Sequence, residues 1–107
     1  MARAYEYLRG TLPFRRWKLP HADAFSFRVT DDTAHYGMFD DKDGKGYPTI
    51  DISAANVQTT HKLLETMAHE MVHFQEFKET TRQDHGPVFK RLAALVCRRH
   101  GFKLKGF

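Results

Sequence analysis

Residues 59–78, TTHKLLETMAHEMVHFQEFK, repeat apolar side chains at three- and four-residue spacing, with no Pro or Gly among them. Leu63, Leu64, Met67, Met71, Val72 and Phe74 follow the period of an amphipathic helix about five turns long. Thr59 or Thr60 supplies its N-terminal cap. In a chain of 107 residues, enough for one small domain spanning 1–107, this is the dominant element. Set among its apolar side chains are His69, Glu70 and His73. At least one of these imidazoles is then partly buried, and a buried imidazole needs a partner.

The surrounding sequence predicts an α+β domain. ARAYEYLR (2–9) reads as a short helix stopped by Gly10, a residue suited to the left-handed conformation. TLPFRRWKLPHADA carries two prolines and reads as irregular. FSFRVT (25–30) alternates Phe25, Phe27 and Val29 with polar neighbours, as a half-buried strand does. AHYGMF (34–39) is expected to return antiparallel to it across Asp31-Asp32-Thr33. PTIDIS (48–53) is a third strand with Ile50 and Ile52 on one face, and the three are expected to form an antiparallel sheet. DDKDGKGYP, between the second and third strands, departs from the calcium-loop pattern at Lys45 and Ile52 and reads as a solvated loop. After ETTRQDHG, Pro87 opens a last helix with Val88, Phe89, Leu92, Leu95 and Val96, ending at Gly101.

The pattern His69-Glu70-x-x-His73 has a direct chemical reading on a helix. Residues i and i+4 share a face with Cβ atoms about 5–6 Å apart, so two imidazoles there converge on one ion at about 2.0–2.1 Å from each nitrogen. Glu70 sits beside such an ion, placed to take a proton from a water that the ion acidifies. His85, just ahead of the last helix, is carried back over the pair by the reversal between the helices. Glu76 and Glu79 are set aside as ligands because they recede along the same helix. His100 is set aside because it lies about 20 Å along the last helix. Three histidines with an open fourth position are the arrangement of a catalytic zinc ion. Tyr36, Tyr47 and His61 are candidates for an additional oxyanion donor, and Asp84 for a cap or for a residue that orients a histidine.

The segments LLETMAHEMVHFQEF and DHGPVFKRL resemble the SprT-like zinc metalloprotease family, to which the Spartan proteases belong. The likeness is strongest over 23–102 and is carried most specifically by His-Gly-Pro-x-Phe following His-Glu-x-x-His. It implies a small zincin-like fold: an N-terminal helix, a three-stranded sheet and two packed helices. It implies that His69, His73 and His85 bind one Zn²⁺, that Glu70 is the catalytic acid/base and that peptide bonds in protein substrates are hydrolysed. In Spartan-type members the substrates are proteins bound or crosslinked to DNA. Many members add a cysteine-rich zinc ribbon; the resemblance here is to a minimal version without it.

Composition narrows the rest. The single cysteine, Cys97, excludes an internal disulfide and an all-cysteine zinc site, and within LAALVC it reads as a buried apolar residue. No stretch approaches the roughly 20 apolar residues of a membrane span, and MARAYEYLRG has no apolar run of an export signal; a cytoplasmic protein without a membrane partner is expected. The net charge of +4, with Lys90, Arg91, Arg98, Arg99, Lys103 and Lys105 in one group and Arg15, Arg16 and Lys18 in another, suits contact with a nucleic-acid backbone. An ordinary solvated basic face accounts for the same residues, and Trp17 reads as a core anchor before a base-stacking platform. The alternative function is therefore a basic DNA-binding accessory protein with a structural or vestigial zinc site. Oligomeric state is not encoded in any of these features.

Overall fold

The computed structural model describes residues 1–41 and 48–107. In chain order the elements are α1 (Ala2–Arg9), 3₁₀ turns at Phe14–Trp17 and Ala22–Ala24, β1 (Ser26–Thr30), β2 (Gly37–Asp40), β3 (Thr49–Ser53), α2 (Thr60–Thr80) and α3 (Pro87–His100). The domain is thus α+β, with three α-helices and one three-stranded sheet among the described residues. None of these helices is long and apolar enough to cross a membrane. Most of the loop DDKDGKGYP and Tyr47 lie outside the described residues.

The sheet is mixed, not antiparallel. Its order is β1-β3-β2, with β1 parallel to β3 and β2 antiparallel to it. The expected β1–β2 pairing fails because β3 stands between them. Burial explains the order: Thr49, Ile50, Ile52 and Ser53 are all buried, as in a central strand covered on both faces, whereas β1 and β2 expose Val29 and Met38. Val29 was expected on the inner face; at the edge of the sheet it is 66 % exposed. The polar residues 31–36 do not form a hairpin turn but cross the end of β3. Ser53 donates its hydroxyl and its backbone N–H to the carbonyls of Asp32 and Tyr36, and the Asn56 amide donates to Asp32 and His35 carbonyls.

Helix α2 packs against α1, α3, β2 and β3. Its start is capped by Thr59, whose Oγ1 accepts the Lys62 N–H at 3.0 Å. The core joins Met67, Ala68, Met71 and Val72 of α2 to Ile50, Phe39, Leu92, Val96, Tyr5 and Phe14. Trp17 lies at its margin, edge-on to Phe14 at 5.1 Å. Cys97 is buried, but Leu95 is 41 % exposed rather than part of the helix's inner face. Gly101 ends α3 with φ 77, the left-handed conformation that glycine adopts freely. Gly10 does not do the same for α1: its φ is −78, and the chain continues right-handed into the next turn.

Candidate metal centre

On α2, His69 and His73 project side by side with ring centroids 4.8 Å apart. Thr81 closes the helix in a left-handed conformation, φ 63, and the chain turns back so that His85, also left-handed at φ 55, lies over the pair. His85 Nε2 is 3.1 Å from His73 Nε2 and 3.4 Å from His69 Nε2. Nitrogens held ~2.0–2.1 Å from one tetrahedral ion lie ~3.3–3.4 Å apart, so these separations fit a shared cation. The three histidines form a cluster able to hold a metal ion.

Phe89 supports the cluster from α3. Its ring lies 5.1, 4.6 and 4.4 Å from those of His69, His73 and His85, which gives the His-Gly-Pro-x-Phe segment a packing reason. From the other side, Gly106 (φ 91) bends the tail back and Phe107 packs on His69 at 5.2 Å. Burial, with His85 adding its charge, holds His69 down to about 4. Burial and the other two imidazoles hold His73 down to about 3. Both are therefore neutral at pH 7, the form a metal ion takes up.

Glu70 reaches toward Gly37 of β2 and is only 3 % exposed. Burial, and then the charge of Asp51, raise it to about 8. Asp51 is itself held by Arg28 across the β1–β3 register, with bonds of 2.8 and 3.0 Å. A cation beside Glu70 would favour its charged form and oppose that rise. Room for the carboxylate comes from Gly37: a Cβ there would lie 2.8 Å from the Asp51 carbonyl oxygen, 2.9 Å from Thr66 Cγ2 and 3.2 Å from Glu70 Oε2.

A cavity of about 410 Å³ opens on His69, Glu70, His73 and His85, walled by residues 34–39, Lys62, Glu65, Gln83 and the tail. Tyr36 lines it, with Lys62 Nζ 4.0 Å above its ring. His61 does not; it packs edge-on against Phe102 at 5.7 Å. The basic clusters are elsewhere. None of their residues lines this cavity, Arg91 pairs with Glu79 at 2.8 Å, and Arg15 and Arg99 share a separate cavity with Tyr7, Thr11 and His100.

Asp84, expected as a cap or as a residue that orients a histidine, accepts the Gly86 N–H through Oδ1 at 3.0 Å and shapes the turn that carries His85 into α3. Glu76, buried at 0 % exposure, lies 2.9 Å from His73 Nδ1 through Oε1. It is no member of the ligand cluster, yet it touches one. Its signal was His-x-x-Glu at helical i,i+3 spacing.

Fold and site together define an α+β domain whose longest helix carries two histidines and a buried glutamate facing a third histidine. The model of the SprT-like family matches residues 10–105, and the chain belongs to that family. No curated protein and no solved structure matches it.

Proposed function

We propose that this chain is a zinc metallopeptidase of zincin-like build, hydrolysing peptide bonds in protein substrates. The observation that carries the reading is the meeting of three Nε2 atoms with the buried Glu70 carboxylate in one open cavity. His69, His73 and His85 would hold the ion; three imidazoles with an open position suit Zn²⁺ among the divalent metals. When bound, such an ion supplies Lewis acidity, acidifying water and polarising a carbonyl.

The chain's own residues do the remainder. Glu70 accepts the proton of the attacking water and returns it to the leaving amine. Burial raises the carboxyl and a bound cation would lower it again, and a balance near the operating pH suits both tasks. The absence of a side chain at Gly37 leaves room for the Glu70 carboxylate beside β2. β2 is the outer strand on this side of the described sheet, and the exposed Tyr36 and Met38 line the cavity. An extended substrate strand aligned along β2 is the peptide geometry this surface suits. Among the described oxyanion candidates, Tyr36 lines the cavity and His61 does not.

The test is metal analysis together with cleavage of an unstructured protein by wild type and Glu70→Gln. Bound zinc and a loss of about 10²-fold or more in kcat are expected for a removed general base; equal cleavage by both proteins refutes the assignment. The second reading, a basic DNA-binding protein, is favoured by the shared cavity of Arg15 and Arg99. That cavity lies about 20 Å along α3 from His85, so DNA-associated substrates would be gripped away from the metal. Salt-sensitive DNA binding without peptidase activity would replace the first reading with this one.

A further inference from the structure

We propose that Glu76 is the positioning residue of the metal centre: one buried carboxylate sets the tautomer of His73 and anchors the turn that delivers His85. The inference rests on the metal reading above and goes beyond it, since Glu76 touches no ion.

The geometry divides the two carboxylate oxygens between two tasks. Oε1 lies 2.9 Å from His73 Nδ1. A carboxylate only accepts, so Nδ1 carries the hydrogen and the Nε2 lone pair faces His69 and His85. Oε2 accepts the Asp84 backbone N–H at 3.1 Å. Asp84 in turn accepts the Gly86 N–H at 3.0 Å. His85 thus stands between two residues tied, one directly and one through Asp84, to the same carboxylate on α2. It needs such ties, because a non-glycine residue at φ 55 holds that conformation only when its surroundings impose it. Gly86 belongs to the device as well: a Cβ there would come within 2.9 Å of Asp84 Oδ1.

Burial gives the assignment weight. Glu76 is fully enclosed, and a buried carboxylate is costly unless its oxygens are hydrogen-bonded. No arginine or lysine is hydrogen-bonded to it among the described residues. Its partners are a metal-cluster histidine, the backbone of Asp84 and His85, and the Asp84 side chain, all but the first in the loop that carries His85. A carboxylate kept there for packing alone would be served as well by leucine or methionine.

Glu76→Gln is the discriminating change because an amide offers one acceptor where the carboxylate offers two. Either the Asp84 N–H or the His73 Nδ1–H loses its acceptor, whichever way the amide turns. With the NH₂ group toward His73, the ring is driven to carry its hydrogen on Nε2, where the metal should bind.

The experiment measures Zn²⁺ affinity by chelator competition for wild type and Glu76→Gln, the Co²⁺ visible spectrum of both, and the thermal unfolding of both metal-free proteins. In parallel, ¹⁵N NMR reads the His73 tautomer in metal-free wild type. Expected are a loss of about 10–100-fold in Zn²⁺ affinity, an altered Co²⁺ spectrum, a metal-free unfolding temperature lowered by the one lost hydrogen bond, and hydrogen on Nδ1 in wild type. Unchanged affinity in the variant overturns the proposal. So does a wild-type His73 with its hydrogen on Nε2, a result that stands even if the variant fails to fold. A wild type that binds no Zn²⁺ brings down the metal reading itself, and this inference with it.

Discussion

Gly37→Ala tests the catalytic geometry without replacing any ligand or titrating group. The added Cβ would stand 2.8 Å from the Asp51 carbonyl oxygen and 2.9 Å from Thr66 Cγ2, where carbon atoms prefer contacts of about 3.5–4.0 Å. The first neighbour is backbone of the central strand. The second is a buried β-branched side chain, stiff at χ1. Neither yields locally, so β2 and α2 separate by about 0.5–1 Å to restore ordinary contact distances. Overpacking of this kind costs about 1–3 kcal/mol, and at about 4–8 °C per kcal/mol for a domain near this size the melting temperature falls by roughly 4–24 °C. The third contact, 3.2 Å to Glu70 Oε2, transmits the shift to the proposed base, where ~1 Å of misplacement costs on the order of 10²-fold in rate. The assay pairs thermal unfolding with kcat on an unstructured protein, measured well below the lowered melting temperature. Thr66→Ser, which removes Cγ2 and keeps the hydroxyl, should recover part of the stability loss in the double variant but not all of it, because the Asp51 carbonyl stays. A Gly37→Ala protein with wild-type melting temperature and kcat would refute the argument that this glycine seats Glu70.

Saturating the metal-free protein with Zn²⁺ should raise its stability by about 2.7 kcal/mol at 100 times Kd, read as a melting shift that a chelator reverses; His85→Ala should lose most of that shift, and an unshifted wild type would refute the site. Thr59→Ala removes the acceptor of the Lys62 N–H and should cost about 1 kcal/mol in denaturant unfolding, with Zn²⁺ affinity unchanged. The Tyr5 hydroxyl donates to the Pro20 carbonyl at 2.5 Å, and burial raises its pKa. A raised folded-state pKa means the contribution is intact below the unfolded value near 10 and is lost as pH climbs above it. Alkaline unfolding followed by circular dichroism should therefore show a component that Tyr5→Phe lacks.

The helices and the three histidines were legible because their information is local. Met67, Met71 and Val72 repeat at the helical period, and His69 and His73 meet by spacing alone. His85 needed only a short reversal between two helices. Sheet order is a different kind of information. Alternation in FSFRVT and PTIDIS says which side chains share a face, not which strand lies beside which, and a polar link such as Asp31-Asp32-Thr33 suits a crossing as well as a hairpin. What decided the order was burial of Thr49 and Ser53 together with Ile50 and Ile52, and two small polar residues give little sign of that in sequence. Glu76 was hidden for another reason. A search for ligands asks which atoms reach the ion, and by that measure a carboxylate one turn beyond His73 is excluded. An imidazole has two nitrogens, however, and the one turned from the ion also needs a partner when buried. The same local spacing that placed His73 already placed its partner: at i+3 a carboxylate reaches Nδ1. On a helix, a carboxylate one turn away can partner the ring nitrogen that faces away from a candidate metal. Gly37 shows where such local rules stop, because its neighbours Asp51, Thr66 and Glu70 come from two other elements and only the folded packing brings them to it.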